Sequence, residues 1–189
     1  MVDISSLSFS DALGKKVLIM GDVGAGKTVL TRHVLLEAIE KEYGDNITVI
    51  DMAPRATTVK GLSVGGLLMT PEDSGVRYLE AEDIRTPRLS AKDGEELMEL
   101  ADYNRKEIEK LLDKFDASPT AVLFINDVSI YLQRGDIDRL WSAIEKAETV
   151  VANGYSGEKL KEDFGTGFSN REKRMMERLA SRMDIAIRL

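Results

Sequence analysis

Residues Lys15 to Val34 read KKVLIMGDVGAGKTVLTRHV, the most informative stretch of the chain. The apolar run Val17 to Met20 predicts a buried strand that leads into Gly21-Asp22-Val23-Gly24-Ala25-Gly26-Lys27-Thr28. These residues fit the pattern G-x-x-x-x-G-K-[ST] at every fixed position. After Lys27, apolar residues recur at the spacing of a helix that would stop near Gly44, at Leu30, Val34, Leu35, Ala38 and Ile39.

Each residue type in this loop suits the binding of a phosphate chain. Glycines let the backbone turn tightly, so that successive N–H groups point inward beside the N-terminus of a helix. Lys27 adds a positive charge, and the Thr28 hydroxyl is a hard oxygen ligand of the kind that Mg²⁺ prefers. The predicted binding segment comprises Gly21, Asp22, Val23, Gly24, Ala25, Gly26, Lys27, Thr28 and Val29.

Together, the strand, the loop and the helix resemble the phosphate-binding element of P-loop NTPases. The run Val122 to Asp127, VLFIND, is similar to the second nucleotide motif of that superfamily, in which an apolar strand ends in an acid that holds Mg²⁺. The resemblance covers these two motifs, and it fits both RecA-like ATPases and the branch of dethiobiotin synthetase and MinD-type switch ATPases. It implies ATP and Mg²⁺ as cofactors, Lys27 as a catalytic residue, and Thr28 and Asp127 as metal ligands.

The remaining pattern alternates strands with helices, which predicts an α/β fold. We expect a three-layer sandwich, a mostly parallel central sheet flanked by helices, as one nucleotide-binding domain over residues 1–189. Residues 1–13 show no clear hydrophobic periodicity. The stretch 52–70, which contains several glycines, is predicted as a loop with a short helix. Further strands are predicted at 47–50, 76–80, 121–125, 149–152 and 185–189, with helices starting near Asp93, Asp136 and a capping box of Ser169 and Glu172.

Composition excludes several classes of chemistry. The 189 residues contain no cysteine and a single histidine, so disulfides, thiol catalysis and a His-rich metal site are ruled out. A net charge of −7 argues against nucleic acid as a partner, although a local basic surface could still serve one. The chain shows neither a secretory signal nor an apolar run of about 20 residues, which favours a cytoplasmic protein without a membrane span.

The resemblance to P-loop NTPases does not by itself identify a catalytic base in this chain. In one large branch of P-loop proteins an acid follows the metal-binding acid directly, but Val128 stands there in this chain. Asp51, at the end of the second predicted strand, is the candidate for orienting a water or a hydroxyl; the alternative is that it caps a turn. Asp51 and Arg55 form D-x-x-x-R, which is also similar to the substrate end of some small-molecule kinases.

Arginines outside the loop define two further candidate features. Arg85 and Arg88 flank Pro87 in a predicted loop, where they could neutralise phosphate charge or simply be solvated. On the last helix one stripe is formed by Arg171, Arg174, Arg178 and Arg182. The stripe is either a solvated face or a basic surface for a protein partner or a second subunit of a homo-oligomer.

These observations predict a Mg²⁺-dependent protein that binds ATP and hydrolyses it, coupled to a partner or a substrate. The N-K-x-D pattern for guanine recognition is absent from the sequence, which favours ATP over GTP. Two alternatives stay open: a small-molecule or nucleotide kinase, and a nucleotide-gated binding module with little turnover.

Overall fold

The computed structural model describes residues 7–59 and 61–189. Its strands are β1 Lys16–Gly21, β2 Ile47–Asp51, β3 Thr57–Val59, β4 Leu62–Val64, β5 Arg77–Glu80, β6 Val122–Asn126, β7 Thr149–Tyr155 and β8 Ile185–Arg188. Its helices are α1 Phe9–Ala12, α2 Lys27–Glu40, α3 Pro87–Ser90, α4 Gly94–Ala117, α5 Val128–Leu132, α6 Ile137–Ile144 and α7 Phe168–Arg182.

Six strands form a central sheet in the order β5-β2-β6-β7-β1-β8. Every neighbouring pair in it is parallel, and β5 lies at one edge as the half-buried pattern of residues 76–80 predicts. Strand β7 lies between β1 and β6, so the two strands that carry the recognised motifs are not adjacent. The carboxyl ends of β2, β6, β7 and β1 therefore meet along one rim of the sheet.

The sheet is covered on both faces, which confirms the predicted three layers. Leu18 and Met20 of β1 pack in the cluster that contains α4, α5, α6 and α7. Val17 and Ile19, which alternate with them, pack in a second cluster with α1 and α2. Because successive side chains of a strand point to opposite faces, a strand buried on both faces reads as the continuous apolar run seen in the sequence.

Helix α4 forms where capping and periodicity predict it. The Asp93 side chain caps the helix by accepting a hydrogen bond from the Glu96 amide at 2.8 Å. Such a cap typically contributes about 1 kcal/mol. The buried positions of this helix are Leu97, Ala101, Asn104, Ile108, Leu111, Leu112 and Phe115.

Two sequence-based predictions were wrong. Residues 57–59 and 62–64 pair as an antiparallel hairpin, β3–β4, instead of a short helix, because strands of three residues are too short to show a period. Helix α7 begins at Phe168 behind a left-handed Gly167, so Ser169 and Glu172 do not form a capping box. Glu172 is buried instead.

Three short α-helices of the described chain were not predicted, α1, α3 and α5. Helix α3 carries Arg88 in a segment that the sequence predicts as a loop, because four residues are too few to show a helical period. Residues 7–13 include α1, while residues 1–6 of the predicted lead-in lie outside the described residues. Helix α5 follows Asp127 directly. Within the described ranges, no helix combines the length and apolarity needed to cross a membrane.

Candidate functional site

The loop between β1 and α2 has the backbone shape that its glycines permit. Gly24 and Gly26 adopt positive φ angles of 79° and 89°, and Gly26 caps α2. A Cβ on Gly21 would lie 3.0 Å from the Leu189 carbonyl oxygen and 3.2 Å from Ala25 Cβ. Two of these glycines thus supply conformations that other residues avoid, and the third permits a close approach of backbone.

The loop presents unpaired donors. Among the described residues, the backbone N–H groups of Gly24 and of Gly26 to Thr28 have no protein acceptor. Lys27 Nζ donates to the Asp22 carbonyl oxygen at 2.7 Å. Burial lowers the pKa of Lys27, an effect that the charges of Asp127 and Asp22 oppose. A concave set of N–H groups at a helix N-terminus, with an ammonium beside it, is a site for an anion.

Asp127 is placed at the rim by an unusual backbone conformation. It follows β6 with a left-handed φ of 59°, and its amide donates to Asn153 Oδ1 at 3.0 Å. Its carboxylate accepts a hydrogen bond from the Ser129 hydroxyl. Burial raises the pKa of Asp127, while the Ser129 hydrogen bond and the charge of Lys27 act in the opposite direction. Asp127 is half-buried and lies within the influence of the Lys27 charge.

The loop and Asp127 line one cleft of about 850 Å³, open solvent included. Its wall is built from the loop, from β4 and the residues beside the hairpin, from α3 and from α5. The wall also includes Asn153, Tyr155, Leu160 and Glu172. The sequence-predicted residues that line it are Val23, Gly24, Lys27, Thr28, Arg88 and Asp127. The structure thus brings Lys27, Thr28 and Asp127 together, whereas the Val29 side chain is 75% exposed.

A row of buried polar side chains, which we call the polar ladder, crosses the strand ends below the cleft. Asn126 Nδ2 donates to Asp51 Oδ1 at 2.9 Å, and Asn153 Nδ2 donates to Asn126 Oδ1 at 3.0 Å. Asn153 Nδ2 also reaches Thr31 Oγ1 on α2 at 2.9 Å. The polar ladder, Asp51, Asn126, Asn153 and Thr31, links β2, β6 and β7 to the helix that carries Lys27.

Asp51 is not among the residues that line the cleft. Its carboxylate is buried and accepts hydrogen bonds from Tyr78 Oη, Leu68 N at 2.8 Å, Ala53 N at 3.1 Å and Asn126 Nδ2. Burial raises the pKa of Asp51, and these hydrogen bonds lower it. The sequence hypothesis that Asp51 orients a water stays a prediction, but its contacts favour a structural role. They fasten residues 53–68 to the sheet.

The three arginines that are predicted from sequence to lie in loops have different environments, and Arg88 lies on α3. Arg55 is 70% exposed and lies 3.7 Å from Glu80. Arg85 forms an exposed ion pair with Asp83 at 2.7 Å. Arg88 alone among the three lines the cleft, and it forms a buried ion pair with Glu172 at 2.6 Å.

Asp22 joins the loop to the segment after β7. Its carboxylate accepts hydrogen bonds from Val23 N at 2.7 Å and from Glu158 N at 3.0 Å. Lys159 Nζ reaches the Val23 carbonyl oxygen at 3.2 Å. Asp22 therefore shapes the loop, and residues 156–160 lie against it.

The arginine stripe on α7 is not a uniform surface. Arg171 donates to the carbonyl oxygens of Gln133 and Gly135 at 3.1 and 3.0 Å, beside the end of α5. Arg182 pairs with Asp138 at 2.7 Å. Arg174 and Arg178 are exposed. Two of the four arginines thus serve the fold.

Several polar residues of the site were not anticipated from sequence: Ser129, Asn126, Gln133, Asn153 and Glu172. Asn126 carried a weak signal, because it is a polar residue at the end of an apolar strand directly before Asp127. For Glu172 the sequence offered no signal, since its partner Arg88 is 84 residues away.

In comparisons with known proteins, this chain matches solved structures, whereas no protein-family model and no curated protein sequence matches it. Among solved structures, Pif1 helicase from Candida albicans is similar over 93% of this chain, with a TM-score of 0.39 and 16% sequence identity. This chain spans 36% of that helicase chain.

Proposed function

We propose that this chain is a P-loop ATPase that binds Mg·ATP and hydrolyses it, coupled to a partner or a substrate. The observation that carries the proposal is the meeting of Lys27, Thr28 and Asp127 at one cleft, beside a loop whose amides have no acceptor among the described residues. Such an arrangement provides hydrogen-bond donors for a phosphate chain and oxygen ligands for its metal ion, and the residues come from two separate motifs.

The residues present fit a bound Mg²⁺. Thr28 and Asp127 offer hard oxygen atoms, and the described residues contain no cluster of three or more His, Cys, Asp or Glu side chains that could hold a metal alone. Mg²⁺ characteristically takes one or two protein ligands and completes its shell with water and phosphate oxygens. When bound, it would neutralise charge on the phosphates.

In this proposal each residue has a defined task. The amides of Gly24 and of Gly26 to Thr28 donate to phosphate oxygens, and Lys27 transfers its hydrogen bond from the Asp22 carbonyl to the nucleotide. Asp127, held by Ser129 and Asn153, keeps its carboxylate fixed for the metal. Fixed charges placed before the reaction lower the barrier without reorganisation of the site.

We expect slow ATP turnover without a partner, because of the roles that the acidic residues of the cleft already have. Among the described residues, the acids that line it are Asp127 and Glu172. The first is assigned to the metal, and the second is paired with Arg88. No free carboxylate is then left to orient the attacking water, so a partner or a substrate would have to complete the site.

A kinase is the second candidate, since the cleft extends beyond the loop between the hairpin and α3. The hairpin and α3 segments contribute both apolar and polar residues to the lining: Ala53, Pro54, Ser63, Val64, Thr86, Pro87 and Leu89. Arg55 of the D-x-x-x-R pattern pairs with Glu80 instead of lining the cleft, which removes one argument for phosphate transfer. A nucleotide-gated binding module is distinguished from both by its lack of turnover.

The deciding experiment measures nucleotide binding by calorimetry, and phosphate release, with Mg·ATP, Mg·GTP and Mg·ADP. We expect ATP binding that requires Lys27 and a low rate of phosphate release without any added substrate. Lys41→Ala, an exposed lysine at the other end of α2, is the matched control and should bind like the unmodified protein. Absence of nucleotide binding by the folded protein would refute the proposal.

A further inference from the structure

Arg88 is a buried cation on the part of the cleft wall that α3 forms. Its side chain and that of Glu172 are only 6% and 4% exposed, and Arg88 Nη2 lies 2.6 Å from Glu172 Oε1. Gln133 Nε2 donates to the other carboxylate oxygen at 2.8 Å. Both oxygens of Glu172 are therefore engaged, and the guanidinium is held from one side.

Most donors of this guanidinium are unused. An arginine carries five N–H donors. The hydrogen bond to Glu172 is the one that Arg88 makes among the described residues, and its buried Nε has no partner there. The rings of Phe168 and Tyr155 lie 5.2 and 5.6 Å from the guanidinium and restrict its movement. A fixed guanidinium with free donors is suited to bind a second anion.

Stability alone explains this arrangement poorly. A buried ion pair often contributes no more than apolar residues of the same volume would, because desolvation offsets the attraction. The cleft also has balanced charges before any nucleotide binds: among the described lining residues, Lys27 and Arg88 face Asp127 and Glu172. A magnesium triphosphate adds net negative charge, and among the described residues Arg88 uses one of its five N–H donors, while Lys27 uses one of its three.

We infer that Arg88 binds the terminal phosphate of a nucleoside triphosphate and makes the cleft discriminate triphosphate from diphosphate. Glu172 is a positioning residue: it holds the guanidinium at the cleft wall, and Gln133 holds Glu172. This inference rests on the proposed nucleotide site and adds to it the residue that recognises the third phosphate.

The test compares Mg·ADP with the nonhydrolysable analogue adenosine 5′-(β,γ-imido)triphosphate by calorimetry. Arg88→Gln should weaken binding of the analogue about tenfold or more, since a charge-assisted hydrogen bond is lost, and change ADP affinity less than about threefold. Arg88→Lys, which keeps the charge, should recover part of the loss. Arg85→Gln is the matched control in the same segment and should change neither affinity.

Because Arg88→Gln leaves Glu172 unpaired and buried, the double variant Arg88→Gln/Glu172→Gln provides a neutral pair that preserves folding, checked by circular dichroism. A folded double variant with the unmodified ratio of analogue to ADP affinity would overturn the inference. Loss of both affinities in Lys27→Ala would still support the nucleotide site, so the two proposals fail separately.

Glu172→Gln alone tests the positioning role. It should lower kcat about tenfold or more and leave ADP affinity unchanged, because the guanidinium stays charged but is no longer fixed. An unchanged kcat in the folded variant would remove Glu172 from the inference.

Discussion

Asn153 at the end of β7 donates from Nδ2 to Asn126 Oδ1 at the end of β6, over 3.0 Å. Both side chains are buried, and each has a second role: Asn153 Oδ1 accepts from the Asp127 amide, and Asn126 Nδ2 donates to Asp51. The polar ladder thus connects the proposed metal ligand with the phosphate-loop helix and with the hairpin. Asn126 and Asn153 of the polar ladder line the cleft, whereas Asp51 and Thr31 do not. The polar ladder therefore sets the geometry of the cleft partly from outside its lining.

Lys27→Ala should abolish or strongly weaken triphosphate binding and leave folding intact. Its ammonium donates to the Asp22 carbonyl at 2.7 Å and serves no apolar core, so its loss costs the ligand more than the fold. Calorimetry with Mg·ATP measures the effect, and thermal unfolding checks the fold. Unchanged affinity and turnover would remove the loop from the site.

Asp127→Asn should raise the Mg²⁺ concentration needed for half-maximal activity about tenfold or more, because the substitution removes a negative charge beside the ion. Nucleotide binding without metal should change much less. The comparison of Mg²⁺ titrations, with and without the substitution, measures this difference. A normal titration would show that Asp127 serves only to start α5.

Asp51→Asn should destabilise the fold by about 2 kcal/mol and keep most of the turnover of each folded molecule. An amide can accept on one side only, so some of the donors from Tyr78, Leu68, Ala53 and Asn126 lose their acceptor. Urea unfolding gives the first quantity, and phosphate release at saturating ATP gives the second. A kcat lowered about a hundredfold in a stable variant would instead support the water-orienting hypothesis.

The contribution of Asp51 to stability should decrease as pH rises from about 4 toward neutrality. The carboxyl groups with lowered pKa values contribute in the opposite direction; they are Asp11, Asp22, Asp102 and Glu158. Burial raises the pKa of Asp51 above its ordinary 3.8, so in this range the folded chain keeps a proton on Asp51 that the unfolded chain releases. The pKa values of Asp127 and Glu172 are raised by burial as well. Free energies of unfolding in urea at a series of pH values would show the slope, and Asp51→Asn should reduce it. An equal slope in both proteins would contradict this account.

The arginines of α7 should separate into two functional groups. Arg171→Gln should lower stability by about 1 kcal/mol, because it removes hydrogen bonds to the carbonyls of Gln133 and Gly135. Replacing exposed Arg174 and Arg178 together by Gln should leave stability within about 0.5 kcal/mol. If they meet a protein partner or a second subunit, that double variant should associate more weakly at low salt in sedimentation. Identical sedimentation would identify them as solvated side chains.

Local patterns in the sequence were enough to predict part of the candidate site. Gly24 and Gly26 mark the turn because their positive φ angles are a local requirement, and Asp93 marks the start of α4 for a similar reason. The contacts that complete the site are not local. The Arg88–Glu172 pair joins residues 84 positions apart, and Asn126 meets Asn153 across neighbouring strands. No period or short motif encodes such pairs, so the sequence could not show that Glu172 is buried.

The order of strands in the sheet also has a consequence for biosynthesis. β1 pairs with β7 and β8 in the described sheet, so Lys16 finds its partner Val150 more than half the chain later. Pairings between such distant segments form slowly, because a long loop must close first. The phosphate loop is translated before both neighbours of β1, so this strand gains a neighbour only after β7 has been translated. A nascent chain that stops before Thr149 would carry every residue of the loop and could pair β5, β2 and β6, but it would lack both strands that pair with β1.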